Sequence, residues 1–217
     1  MCFMETEQTD TLFKRVSERI FGLTGGIACG KSAAAEILRG LGAVIIDCDL
    51  ISRELTVPGS EVLKLLAEAF GSRILDGNGE LRRKYLASIV FGSQEALQKL
   101  NDIMQRRIWK IAFERAAEAA LTNPAVFIVA PLLFENGAEA AVSKVWVVDA
   151  SEELQLKRLL KRDKLSLKEA RNRLGAQMSA ADKAARADVL IDNNGSPADL
   201  RREVETAWRE YFAAADE

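Results

Sequence analysis

The 217-residue chain contains no histidine. That absence removes the side chain most used for general acid and base work, for Ser-His triads and for zinc or iron ligation. Catalysis, if present, has to rest on carboxylates, lysine, arginine and a bound cation. Cysteine is also scarce: Cys2, Cys29 and Cys48 are odd in number and form no C-x-x-C pair. Neither a disulfide framework nor a zinc knuckle is indicated, and a reducing cytoplasm is the natural setting. No apolar run approaches the roughly 20 residues that span a bilayer, so no membrane partner is expected. Charge of one sign is lacking as well, because 30 Lys and Arg stand against 32 Asp and Glu, a net charge of −2. Such a balance gives no general attraction for nucleic acid.

The first eighteen residues carry Glu5, Glu7, Asp10 and Glu18 among scattered hydrophobes, which fits neither a secretory h-region nor an acid-poor transit peptide. They read as a soluble N-terminal extension, helical near residues 11–20, ahead of a single domain over 19–217. Five short, β-branched apolar runs predict strands at 20–24, 43–46, 126–130, 145–148 and 189–191. Helical patterns separate them at 31–39, 60–70, 84–91, 95–121, 152–162, 167–174 and 197–214. Strands alternating with helices predict an α/β fold, a five-stranded parallel sheet with helices on both faces. The stretch between the second and third strands is too long for one crossover helix, so residues of about 59–120 are expected to form a helical subdomain.

Between the apolar run Ile20 to Leu23 and an alanine-rich helical run stands Gly25-Gly26-Ile27-Ala28-Cys29-Gly30-Lys31-Ser32, the pattern G-x-x-x-x-G-K-S of a P-loop. Glycines let the backbone curl so that consecutive N–H groups face phosphate oxygens, and the following helix adds the partial positive charge of its N-terminus. Lys31 is expected to reach the β and γ phosphates and the Ser32 hydroxyl to ligate magnesium. The chain is therefore expected to bind a nucleoside triphosphate, ATP with Mg2+. No N-K-x-D segment for reading guanine occurs. Cys29 lies inside the loop, either as an inert small filler or as a thiol activated by the helix N-terminus and Lys31.

Asp47 and Asp49 close the second strand, and a spacing of two puts both carboxylates on one side of an extended chain. At the carboxyl end of a strand they would face a ligand cleft. One of the pair would also serve to cap a helix beginning near Leu50. Arg158 and Arg162 are four apart on a helix, with Arg171 and Arg173 beyond, a pattern that suits a lid closing over polyphosphate. A solvated amphipathic face would carry the same residues. Asn193, in Asp192-Asn193-Asn194-Gly195 after the last strand, is placed for a nucleobase contact or a turn.

These blocks together resemble the dephospho-CoA kinases, over residues from about Phe21 to Trp208. Beyond the phosphate loop, Asp47-Cys48-Asp49 with Arg53 is similar to the family's D-A-D followed by arginine. Gly79-Glu80-Leu81-Arg82-Arg83 with Leu86 and Phe91 resembles its G-x-L-D-R block, and Pro131 to Glu135 its P-L-L-F-E. Gln155 to Arg162-Asp163, Arg173 and Gln177 resemble its lid, and Ala187-Asp188 to Gly195 its final block. The resemblance implies transfer of the ATP γ-phosphoryl group to the 3′-hydroxyl of dephospho-CoA, with a subdomain at 59–120 for the acceptor and a lid at about 155–186. By the same carry-over Lys31 and the amides from Ala28 to Ala33 bind triphosphate, Asp49 activates or positions the hydroxyl, and Arg158 and Arg162 stabilise the transferring charge. Asp47, Arg53, Arg83 and Glu135 fall on the acceptor side.

The chain departs from that pattern in Gln105-Arg106, which stand where the family carries His-Pro, in Arg82 for an aspartate and in Ala33 for a threonine. The third strand ends at Ala130 without a Walker B carboxylate, so magnesium is assigned to Ser32, phosphate oxygens and water, with or without Asp49 held through such a water. A related kinase with a nucleoside monophosphate or other small alcohol as acceptor, and a weakly catalytic nucleotide-binding regulator, are the alternative readings. No oligomeric state is read from the sequence, and a monomer is compatible with it.

Overall fold

The five apolar runs form β1 (Ile20–Thr24), β2 (Val44–Asp47), β3 (Val126–Val129), β4 (Val145–Asp149) and β5 (Val189–Asp192). The structure is a computed structural model, and it describes residues 16–90, 92–164 and 166–213. The extension expected over 1–18 therefore falls largely outside the described residues, as do Cys2 and Phe91. The strands join one sheet in the order β2-β3-β1-β4-β5. β1 runs parallel to β3 in the register Ile20 with Val126, and parallel to β4 with Gly22 opposite Val145. Every residue of β1 and β3 is buried, which is why both read as unbroken apolar runs rather than as an alternation.

Parallel neighbours need crossovers, and helices supply them. They are α1 (Lys31–Gly40), α2 (Cys48–Leu55), α3 (Glu61–Phe70), α4 (Arg83–Val90), α5 (Gln94–Ala120), α6 (Glu152–Asp163), α7 (Leu167–Gly175), α8 (Ala180–Ala185) and α9 (Pro197–Ala213). α8 was not among the expected helices, and α2 is the helix near Leu50 that the capping reading of the Asp47–Asp49 pair allowed, not one found from apolar periodicity. Both are short, and α8 is Ala-Ala-Asp-Lys-Ala-Ala, in which alanine gives no contrast between faces.

The chain forms two compact units, one of Met1–Ile46 with Arg115–Glu217 and the other of Asp47–Glu114. In the first, Phe21, Leu23, Phe127, Trp146, Val148 and Ile191 of the sheet pack with Ala34, Ala35 and Leu38 of α1 and Leu200 and Val204 of α9. Phe21 stacks on Phe127 with ring centroids 5.0 Å apart, and Tyr211 and Phe212 meet Phe21 edge-on. Each such side chain removed from water contributes about 1.5–3 kcal/mol. The first unit thus holds β1 rigidly at the centre of the sheet.

The second unit has its own small core from Val62, Leu63, Leu66, Ile74, Leu86 and Val90. Ser60 starts α3 by accepting the Leu63 N–H at 3.2 Å. An Asp76 turn closes the segment before α4, its Oδ1 accepting the N–H groups of Asn78 and Glu80 at 2.9 Å each. This unit starts at Asp47, ahead of residue 59, because α2 belongs to it.

Candidate active site

The central strand β1 ends at Thr24 and releases the chain into the glycine loop, after which α1 begins at Lys31. Two glycines are required by shape. Gly25 has φ +148, and a Cβ there would stand 2.2 Å from the Val148 carbonyl oxygen. Gly30 has φ +106, and a Cβ would stand 2.1 Å from Asn193 Nδ2. Gly30 occupies the N-cap of α1 and has no side chain to cap it, so the first-turn N–H groups of Lys31, Ser32 and Ala33 are left for an anion. Lys31 folds back over the loop and donates to the carbonyls of Gly25 at 2.9 Å and Gly26 at 3.0 Å. Those acceptors are neutral, and a charged phosphate oxygen forms the stronger bond to the same ammonium. Ser32, in the first turn of α1, is exposed.

Asn193 and Arg158 close one wall of the loop. Asn193 Nδ2 donates to the Cys29 carbonyl at 2.6 Å, and its own N–H donates to the Asp149 carbonyl at 2.8 Å. Arg158 donates to the Cys29 carbonyl at 3.3 Å and to the Asn193 carbonyl at 3.1 Å. In a planar trans peptide the carbonyl of Cys29 and the N–H of Gly30 point in opposite directions, so pinning the first aims the second. The Cys29 side chain is fully buried within the loop, a Cβ on Gly25 coming within 2.7 Å of its sulfur. It fills space there.

Arg162 stands elsewhere on α6, paired with Asp163 at 2.7 Å, and Asp163 also receives Arg173 at 2.9 Å. The Arg162 hydrogen bond, against a smaller opposing effect of burial, holds the Asp163 carboxyl below the usual carboxylate range. Of the two arginines expected in the lid, Arg158 is the one seen in hydrogen bonds to the phosphate loop, through the Cys29 carbonyl, and Arg162 is seen with Asp163. Glu135, expected on the acceptor side, has both oxygens engaged internally. Its Oε1 accepts the Met178 N–H at 2.9 Å and Lys183 Nζ at 2.9 Å, and its Oε2 lies 3.3 Å from the same ammonium.

Asp47, Asp49, Arg53 and Arg83 belong to the second unit. The expectation of two carboxylates on one side of an extended chain is corrected there. Asp47 ends β2 and caps α2, its Oδ1 accepting the N–H groups of Asp49 at 2.7 Å and Leu50 at 3.4 Å. The strand period stops at Asp47, so Asp49 stands in the first helical turn. Between them Cys48 is buried, and burial first, then the charges of Asp47 and Asp49, push its thiol up to about 12. Arg83 donates to Thr56 Oγ1 at 2.7 Å. Burial and then the neighbouring Arg53 lower its pKa. Among the described residues neither arginine is paired with a carboxylate. Two guanidiniums within each other's field and without a counterion suit an anionic ligand.

Lys183 escaped the sequence reading. A single lysine among alanines on a short helix was the available signal, since small neighbours permit burial. Among the described residues no group of three or more His, Cys, Asp or Glu could hold a metal ion.

A five-stranded sheet with a glycine loop and the N-terminus of α1 at the end of its central strand defines a P-loop phosphotransferase of the small-molecule kinase class. Residues 19–199 match the model of the dephospho-CoA kinase family, and the chain belongs to that family. It is 44% identical over 194 residues to the dephospho-CoA kinase of Geobacter sulfurreducens, covering 89% of this chain and 98% of that one. Among solved structures it is similar to a dephospho-CoA kinase from Campylobacter jejuni, with TM-score 0.66 and 34% identity over 89% of this chain and 96% of that one. A solved structure from Thermus thermophilus matches with TM-score 0.71 and 32% identity over 88% of this chain and 96% of that one.

Proposed function

We propose that the chain transfers the γ-phosphoryl group of ATP to the 3′-hydroxyl of dephospho-CoA, giving coenzyme A and ADP. The match to the dephospho-CoA kinase family over residues 19–199, with the phosphate loop intact within it, carries this reading. A loose phosphoryl-transfer transition state asks mainly for positioning and neutralised charge. Lys31 leaves the Gly25 and Gly26 carbonyls for the β and γ phosphates, and the N–H groups from Ala28 to Ala33 hold the remaining oxygens. Arg158 and Asn193 keep the loop in shape through the Cys29 carbonyl, and Arg158 is close enough to add its charge. Magnesium, when bound at Ser32, neutralises part of the charge on the phosphates.

On the acceptor side, Asp49 positions and deprotonates the attacking hydroxyl, with Asp47 fixing the start of the helix that carries it. Arg53 and Arg83 take an anionic part of the acceptor, and the Asp47–Glu114 unit is the acceptor subdomain. Residues of about 155–186 form the lid, whose closure keeps water from the transferring group. Arg162 joins the site by exchanging Asp163 for phosphate on closure. The protein works in the cytoplasm as a small-molecule enzyme. Asp49→Asn tests the assignment: kcat is expected to fall about 10²-fold or more, while calorimetry shows ATP still bound. Near-normal turnover by that variant would remove Asp49 from the chemistry.

A further inference from the structure

Lys183 is the one lysine among the described residues that is fully buried, with a relative exposure of 0%. A buried ammonium is costly unless it is paired and hydrogen-bonded. Here its Nζ donates to the Pro131 carbonyl at 2.6 Å and to Glu135 at 2.9 Å. Pro131 and Glu135 belong to the turn that follows β3, the strand beside β1. Lys183 and Met178 belong to the segment that follows α7. Glu135 therefore ties both ends of the 178–183 segment, through the Met178 N–H and the Lys183 ammonium, to one turn at the carboxyl end of the sheet. A second tie lies just beyond: Arg186 pairs with Glu139, and its guanidinium sits 4.5 Å from the centroid of the Phe134 ring.

We infer that Lys183 is a positioning residue for phosphoryl transfer: its clamp on Pro131 and Glu135 fixes where α6 and α7 return to the sheet, and so sets how Arg158 and its neighbours meet the phosphate loop. The inference rests on the phosphotransfer reading given above. Two observations relate the clamp to the loop. Burial lowers the Lys183 pKa, Glu135 opposes that change, and the Lys31 ammonium adds to it, so the two lysines feel each other's charge. Arg158, on the stretch the clamp terminates, is already bonded to the Cys29 carbonyl. A polyanion on the loop relieves the repulsion between Lys31 and Lys183, which couples nucleotide binding to the clamp.

Replacing a buried ion pair by apolar side chains of similar size is often tolerated, whereas removing one partner leaves a charge uncompensated. Lys183→Met alone is thus expected to lower the thermal midpoint as well as activity. The double variant Lys183→Met/Glu135→Gln removes both charges and separates the two roles. In it the midpoint is expected to return to within a few degrees of the unaltered chain. Its kcat with dephospho-CoA is expected to stay at least about tenfold down, with ATP bound more weakly in calorimetry. Recovery of kcat together with the midpoint would overturn the inference, and so would a midpoint that stays as low as in Lys183→Met, which would make the clamp purely structural. If the unaltered chain itself fails to phosphorylate dephospho-CoA, the reading of its substrate fails instead. The clamp is then judged by calorimetry, and ATP affinity that is equal in the double variant and the unaltered chain overturns it.

Discussion

Cys48 carries a thiol that burial, together with Asp47 and Asp49, keeps protonated far into the alkaline range, its pKa pushed up to about 12. In the unfolded chain the same thiol ionises near 9, so the folded state binds its proton more tightly. The resulting stability is fully present below pH 9 and is lost as the pH rises through 12. We expect the unfolding free energy of the unaltered chain to decline between those limits more steeply than that of Cys48→Ala, read from urea unfolding at stepped pH. Equal slopes would contradict the assignment. Much at this scale was legible in the sequence, where Gly25, Gly30, Lys31 and Ser32 sit at fixed offsets because phosphate geometry demands them. The internal partners of Glu135 and Arg162 were not, because carboxylate pairing depends on segments distant in sequence or on a neighbour that could equally have faced water.

Asp47 decides where one element stops and the next starts. Its carboxylate takes up the N–H groups of Asp49 and Leu50, and the chain turns from β2 into α2 with no intervening loop. Loss of such a cap costs about 1 kcal/mol, whereas asparagine caps almost as well. Asp47→Ala should therefore lower the unfolding free energy by about 1 kcal/mol in urea titration, and Asp47→Asn by only a few tenths. If the two substitutions cost the same, the cap is not the reason. The strands were legible because β1 and β3 are buried on both faces and so read as continuous apolar runs. The start of α2 was hidden by an Asp-x-Asp spacing that fits a strand end as well as a cap, and α8 by an alanine-rich stretch without periodicity.

Across the whole molecule, the central strand presents a phosphate loop whose walls are Arg158 and Asn193, and a separate unit carries Asp49, Arg53 and Arg83. The chain belongs to the dephospho-CoA kinase family over residues 19–199. A parallel sheet covered by helices was readable from the alternation of strands and helices, whereas the order β2-β3-β1-β4-β5 depends on pairings between strands far apart in the chain. A separate helical stretch at about 59–120 was expected from the length between the second and third strands, and the bounds Asp47 and Glu114 of the compact unit depend on which helices pack together rather than on any local signal. A single transfer from ATP to one hydroxyl can be followed by phosphorus NMR of the products formed by the unaltered chain with ATP, magnesium and dephospho-CoA. One new phosphate monoester on the ribose 3′ oxygen is expected for each ADP released. Phosphate on another position, or ADP released at the same rate without dephospho-CoA, would contradict it.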